Sequence, residues 1–261
     1  LPPKSPLSGP SGHPSDEALP WAQASTAEDL WAVVGGMIFP DAKVIWDMSR
    51  QYQKRIKLKY WLLSFFYDSV EIFFYFNTKT NPRHGLARLI PDGDLRVLDV
   101  CFGTGNSTLL VAKTNNRNMI TGVDLSADML KVANRKLRKQ GISNIKTIRM
   151  DAVDMGFDDE SFDVATSSFG LHEMEYPVME SIIKEMNRVL KKGGKLYLVD
   201  YQIQDTAIKR LLFRVYLLLT SPPHVKDFLK YDWEVIMREC GFRIDKIEPH
   251  KISQIICATR L

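Results

Sequence analysis

The stretch RVLDVCFGTGNSTLL, from Arg96 to Leu110, carries an apolar run through Asp99 into two glycines, Gly103 and Gly105, and then into a helical pattern. Glycines ahead of a helix leave backbone bare of side chains where a ligand can pass closely. A phosphate cradle of the Gly-x-x-x-x-Gly-Lys-Ser/Thr type is excluded, because no lysine follows Gly105. A dinucleotide site would find two of its glycines here and a ribose acid at Asp124, but its third small residue falls on the β-branched Thr108. S-adenosylmethionine has no phosphate and makes no such demand. It needs bare backbone and an ionised acid that accepts from two ribose hydroxyls, which Asp124 supplies at the end of a second strand-like run. Asp151, in Met150-Asp151-Ala152 after a third run, is placed to accept from an adenine amino group.

These residues need a sheet to gather them. Strand-like runs cover Arg96–Val100, Met119–Val123, Ile145–Arg149, Phe162–Ser167 and Lys195–Val199. Helical patterns cover Asn106–Lys113, Ala127–Gln140 and Val178–Leu190. A last helix, Asp232–Cys240, precedes two more strands, Phe242–Glu248 and Gln254–Thr259. The alternation predicts right-handed βαβ units and a mainly parallel sheet, with ligand loops at its carboxyl edge. The connection His250–Ser253 is too short for a crossover, so the last two strands pair antiparallel. Ser126 is placed as a helix N-cap, and Gly193-Gly194 as a helix C-cap leading tightly into a strand.

VLDVCFGTGNST, ITGVDLSADML, RMDAVDMGFDDESFDVATSSFGLHEM and EMNRVLKKGGKLYLVDY, taken in order, resemble the motifs of class I SAM-dependent methyltransferases. The resemblance runs from about Leu95 to Leu261 and is strongest to the ubiquinone/menaquinone-biosynthesis C-methyltransferase group. It implies an α/β, Rossmann-like seven-stranded mainly parallel sheet with an antiparallel last strand, plus an N-terminal helical lid. It also implies that Gly103, Thr104 and Gly105 line the ribose and methionine portion of the cofactor, and that Asp124 binds the ribose hydroxyls. Asp151 and Ala152 would contact adenine, Asp99 would steady the loop or the methionine amino group, and Ser168 would approach from the fourth strand. Where the quinone enzymes typically continue FGL with Arg-Asn, His172-Glu173 follows here. His172 and Glu173 are the candidate catalytic pair, beside the expected methyl group, with histidine suited to proton transfer near neutrality.

The remaining chain divides by composition. Residues 1–50 read as a flexible or weakly structured extension, with six of the thirteen prolines in the first twenty positions. Residues 51–90 hold YWLLSFFYDSVEIFFYF, Tyr60–Phe76, nine of whose seventeen residues are aromatic. This block is read as a helical lid able to shield a methyl group, stack on a flat substrate or face an amine, with Tyr67 and Asp68 nearest the cofactor by resemblance. Residues 91–261 are the methyltransferase domain, with an insertion at about 203–226. There Ile208, Leu211, Leu212, Val215 and Leu219 fit one helical face, which Phe213, Tyr216 and Leu217 widen.

The expected partner is a small, lipophilic or aromatic acceptor; peripheral membrane contact and a homodimer stay open as uses of the surplus apolar surface. The alternatives are N-methylation of an amine or phospholipid head group, and a non-catalytic cofactor-binding module. Net charge is only +4, and the basic helix with Lys131, Arg135, Lys136, Arg138 and Lys139 reads as a solvated face, so nucleic acid is not expected. No metal is expected, because Cys101, Cys240 and Cys257 have no metal-ligand spacing; their scatter suits a reducing, cytoplasmic setting.

Overall fold

The protein is represented by a computed structural model, which describes residues 81–261 apart from 205, 208, 209, 212, 215, 216 and 218–220. The aromatic block Tyr60–Phe76 and the extension before it lie outside the described residues.

Helix α1, Pro82–Leu89, is capped by Asn81, whose side chain accepts from Arg83 N. Then come β1 (Arg96–Val100), α2 (Asn106–Thr114), β2 (Met119–Asp124), α3 (Ala127–Gln140), β3 (Ile145–Arg149) and β4 (Phe162–Ser168). A single 3-10 turn, Leu171–Glu173, leads into α4 (Tyr176–Val189) and β5 (Leu190–Tyr201). The chain closes with α5 (Val225–Phe228), α6 (Trp233–Glu239), β6 (Phe242–Pro249) and β7 (Ser253–Arg260).

The seven strands order as β3-β2-β1-β4-β5-β7-β6. All pairings are parallel through β5, and β7 runs antiparallel to both β5 and β6. The two-residue alternation of the strands divides the core between the two faces. Leu98, Val100, Ala165, Leu196 and Leu198 meet Met179, Ile182, Ile183 and Met186 of α4 and Trp233, Ile236 and Met237 of α6. Val97, Ile120, Val164, Tyr197 and Val199 meet Leu86, Ala87 and Ile90 at α1 and Val111 and Ala112 of α2. Polar groups lock the second face: Asn115 Nδ2 donates to Ala87 O at 3.1 Å and to Ile90 O at 2.5 Å.

Ser126 caps α3 as its sequence position suggests, accepting from Met129 N. Gly193-Gly194 does not cap a helix. Helix α4 ends at Val189 with Leu190 already extended, and the glycines lie in a bulged entry to β5. Gly193 takes φ +73°, while a Cβ on Gly194 would stand 2.7 Å from Lys191 O. The pair therefore lets the chain double over the end of β4 rather than ending the helix.

The insertion also differs from its sequence pattern. Phe213 and Leu217 are buried, while Leu211 is 64% exposed, so the four-residue spacing 213/217 marks the inner face. The Phe213 ring meets Tyr201 edge-on at 5.3 Å, which fixes that orientation. Among the described residues no helix is long and apolar enough to cross a membrane. On α3, Met129, Leu130, Ala133 and Leu137 are buried, whereas Lys131, Arg135, Arg138 and Lys139 are exposed.

Candidate active site

The carboxyl ends of β1 and β4 lie side by side at the centre of the sheet, and both end in left-handed backbone. Cys101 takes φ +59° and Phe169 φ +54°, conformations that non-glycine residues hold only when packing dictates. The two turns touch at Gly170, where a Cβ would come within 2.4 Å of the Cys101 Cβ. Gly170→Ala is therefore expected to force these turns apart and cost about 1–3 kcal/mol, lowering the urea midpoint at an unchanged slope. An unshifted midpoint would show that the junction yields freely.

Gly103 and Gly105 both take left-handed φ, +56° and +79°. They serve different ends. A Cβ on Gly103 would meet only Cys101 O, at 4.0 Å, so its exposed side is open to a ligand. A Cβ on Gly105 would meet the Phe102 ring at 2.8 Å, and one on Gly122 would meet the same ring at 2.3 Å. Phe102 thus fills the slot between the loop and β2, and Gly105 is bare for its own chain as much as for a cofactor. Thr104, between the two glycines, is buried.

Asp124 ends β2 with both oxygens engaged once. Oδ2 accepts from Gly103 N at 2.7 Å and Oδ1 from Ser126 N at 2.8 Å. Burial raises its pKa, and these two backbone hydrogen bonds hold the rise back. Each carboxylate oxygen has two lone-pair positions, so one per oxygen remains beyond these bonds, the arrangement a vicinal diol requires. Met150 N donates to Asp124 O, which sets the Asp151-Ala152 turn directly beside this carboxylate. Asp151 Oδ1 accepts from Val153 N within that turn, and Asp151 and Ala152 are both half-buried. These residues fit the ribose and adenine ends of S-adenosylmethionine.

Asp99 faces α2 rather than the open loop. It is 3% exposed and accepts from Thr166 Oγ1 at 3.0 Å and from Thr108 Oγ1. Burial pushes its carboxyl up to about 7, against the two threonine hydrogen bonds and with added repulsion from Asp124. The β-branched Thr108, an obstacle to a dinucleotide, is thus the residue that ties α2 to β1. Ser168, at the end of β4, has a buried hydroxyl with no hydrogen-bond partner among the described residues.

His172 and Glu173 sit together on the 3-10 turn after β4. His172 is 3% exposed, its Nδ1 2.7 Å from Asp200 Oδ1 and its Nε2 3.5 Å from Glu173 Oε1. Burial opposes the charged imidazole, but Asp200 and Glu173 prevail and push its pKa up to about 9. The two carboxylates beside the ring favour its protonated form over the neutral imidazole of an isolated histidine. Asp200, at the end of β5, was missed in the sequence; its signal was an acid closing the apolar run LYLV. A series of rings surrounds the pair, with Tyr201 4.5 Å from His172 and 5.5 Å from Phe169, and Phe228 6.1 Å from His172. Arg83 was missed as well. From α1 it donates through Nε to Ser107 Oγ at 2.9 Å, in the first turn of α2, and lies 5.9 Å from the Phe169 ring.

Residues 97–194 match the family model described as a methyltransferase domain. A demethylmenaquinone methyltransferase of Staphylococcus aureus is 33% identical over 144 residues, 53% of this chain and 58% of that protein. One from Listeria welshimeri is 34% identical over 142 residues, 52% of this chain and 59% of that protein. The matches therefore span less than two thirds of these relatives. Among solved structures, a SAM-dependent methyltransferase from Aquifex aeolicus shares the fold at TM-score 0.57 and 20% identity, covering 70% of this chain and 90% of that one. The [4+2]-cyclase SpnF also shares it, at TM-score 0.52 and 21% identity, covering 67% and 80%. Family match, curated relatives and sheet order agree that the chain carries a class I SAM-dependent methyltransferase domain.

Proposed function

We propose that the protein transfers a methyl group from S-adenosylmethionine to a small, lipophilic or aromatic acceptor. The observation that carries this reading is Asp124, whose two oxygens each accept one backbone hydrogen bond, from Gly103 N and Ser126 N, and each keep one further lone pair, with the Asp151 turn alongside. When bound, S-adenosylmethionine supplies a methyl group on a positively charged sulfur, which leaves as a neutral thioether. Asp124 would hold its ribose, the Asp151-Ala152 turn its adenine, and Gly103 and Thr104 the passage between ribose and methionine.

With ribose and adenine on the β2 and β3 side, the amino-acid end runs toward β1 and β4. Arg83 is the cation at that end, braced on Ser107 at the N-terminal turn of α2, where helix dipole and guanidinium both favour an anion. Arg83→Ala is expected to weaken S-adenosylhomocysteine binding about tenfold, the value of one charged hydrogen bond. Binding of methylthioadenosine, which lacks the carboxylate, should stay within twofold. Equal loss for both ligands would exclude Arg83 from the carboxylate.

The acceptor class is supported by the ring series Phe169, Tyr201, Phe213 and Phe228 beyond β4 and β5, and by the similarity to demethylmenaquinone methyltransferases. Glu173, whose Oε1 lies 3.5 Å from His172 Nε2 on the turn after β4, is the residue assigned to the acceptor's proton. The chain's tasks are to align the acceptor, exclude water and receive that proton. Calorimetric titration with S-adenosylhomocysteine and NADH tests the cofactor, and a labelled-methyl screen of quinols and amines tests the acceptor. Binding of the first ligand alone and label in a quinol are the expected results. Label in an amine would move the activity to N-methylation; cofactor binding with no transfer would leave a binding module.

A further inference from the structure

We infer that Asp200 is a positioning residue for methyl transfer: it holds the His172 ring as an imidazolium that braces the Glu173 carboxylate for receipt of the acceptor's proton. The inference rests on the methyltransferase reading above. Asp200 grips the turn twice, with Oδ1 2.7 Å from His172 Nδ1 and Oδ2 accepting from His172 N at 3.2 Å. Its Oδ1 also accepts from Tyr201 N at 2.8 Å, so the carboxylate cannot swing away without giving up three partners. Tyr201 and Phe228 fix the plane of the His172 ring from either element packed on it. The one remaining ring direction, Nε2, points at Glu173 Oε1.

Electrostatics explain why three titratable groups share so dry a place. A buried imidazolium beside one carboxylate is a neutral pair, and Asp200 is the more buried of the two carboxylates beside the ring. Glu173, half-buried on the turn that follows β4, is the more accessible of them. Among the described residues, the other groups facing the cluster include Cys101, after β1, and Tyr201 on β5; Phe228 of α5 brings no charge. Burial, with Asp124, Asp99 and Asp200 nearby, pushes the Cys101 thiol well above its ordinary range, so it stays neutral and does not compete for the proton. During turnover the proton released by the acceptor forms an O–H bond with a Glu173 lone pair and later returns to water. His172 keeps its two protons throughout, and no oxidant or reductant is involved.

The experiment is a ring titration of His172 by NMR in the full chain, assigned by difference against His172→Gln, with Asp200→Asn as the test variant. In the unsubstituted protein His172 should remain protonated to about pH 8 and titrate near 9; in Asp200→Asn it should titrate near or below its ordinary 6.5. Titration of the unsubstituted protein near 6.5 overturns the inference, and this readout needs neither cofactor nor acceptor. For transfer, Asp200→Asn should lower kcat about tenfold to a hundredfold, with KM and S-adenosylhomocysteine affinity within threefold. Its alkaline limb should move toward neutral pH as the imidazolium is lost. An unchanged kcat and alkaline limb would overturn the inference even where the ring titrates as expected. Should Asp200→Asn fail to fold, the ring titration of the unsubstituted protein decides. Absence of S-adenosylhomocysteine binding by the unsubstituted protein would instead remove the methyltransferase reading, leaving the His172 titration to stand or fall by itself.

Discussion

Asp124→Ala is expected to weaken S-adenosylhomocysteine binding about a hundredfold. The carboxylate keeps one further lone pair per oxygen once Gly103 N and Ser126 N are served, and two ribose hydroxyls would fill both. Hydrogen bonds to a charged group contribute about 1.5–3 kcal/mol each, so losing two removes about 3 kcal/mol after the cavity partly refills with water. Alanine also frees Gly103 N, which holds the loop at φ +56°. Asp124→Asn should lose nearly as much, because an amide turns one acceptor into a donor that faces Gly103 N or Ser126 N. Methylthioadenosine, which keeps the ribose, must weaken in parallel, in contrast to its indifference to Arg83→Ala. Calorimetry with the two ligands on the two variants separates the ends of the site, and an Asp124→Ala affinity within threefold of the parent would remove the ribose assignment.

Much of this arrangement was legible in the chain. Strand Arg96–Val100, buried at four of its five positions, reads as a short apolar run, and it, the edge strand Ile145–Arg149 and helix Ala127–Gln140 coincide with their sequence bounds. The Ser126 cap was legible because capping is local: one hydroxyl, three residues before the N–H it accepts from. Gly193-Gly194 misled for the same reason. A helix end and a bulge both call for a glycine with positive φ, and only the pairing of β4 with β5 distinguishes them. Asp99, Asp124 and Asp151 could be singled out by position at strand ends, yet their uses diverge. Asp99 is turned by strand alternation toward α2 and its Thr108, while Asp124 turns to the loop.

Asp200 and Arg83 escaped notice because their roles exist only across the sheet. Asp200 is 28 residues from His172, and Arg83 is 24 from Ser107. No periodicity links such pairs. The raised pKa of His172 escaped notice in the same way, since an ordinary pKa is a property of an isolated side chain and its neighbours come from β5 and α5.

His172→Ala should destabilise the fold by about 3–5 kcal/mol near neutral pH, the range for removing one partner of a buried ion pair. Asp200, 5% exposed, would keep its backbone donors at residue 172 and Tyr201 but lose the one cation in contact with it among the described residues. The loss carries a signature in pH. The folded-state pKa of His172, about 9, lies above its ordinary 6.5, so its contribution is fully present below 6.5 and disappears as pH rises through 9. That difference corresponds to about 3 kcal/mol across the window. Asp99 acts in a separate range: its carboxyl is raised from 3.8 to about 7, so folding is favoured by its proton and stability declines as pH rises from 3.8 to 7. Both proteins share that decline, and subtracting their urea-derived stabilities at pH 5.5, 7, 8 and 9.5 cancels it. The difference should be constant below 6.5 and shrink steadily to a remainder set by lost packing against Tyr201 and Phe228. A difference that stays level from pH 6.5 to 9 would mean that His172 folds as a neutral ring. Glu173 would then face an imidazole able to take a proton itself, and the two residues would exchange the roles argued for them here.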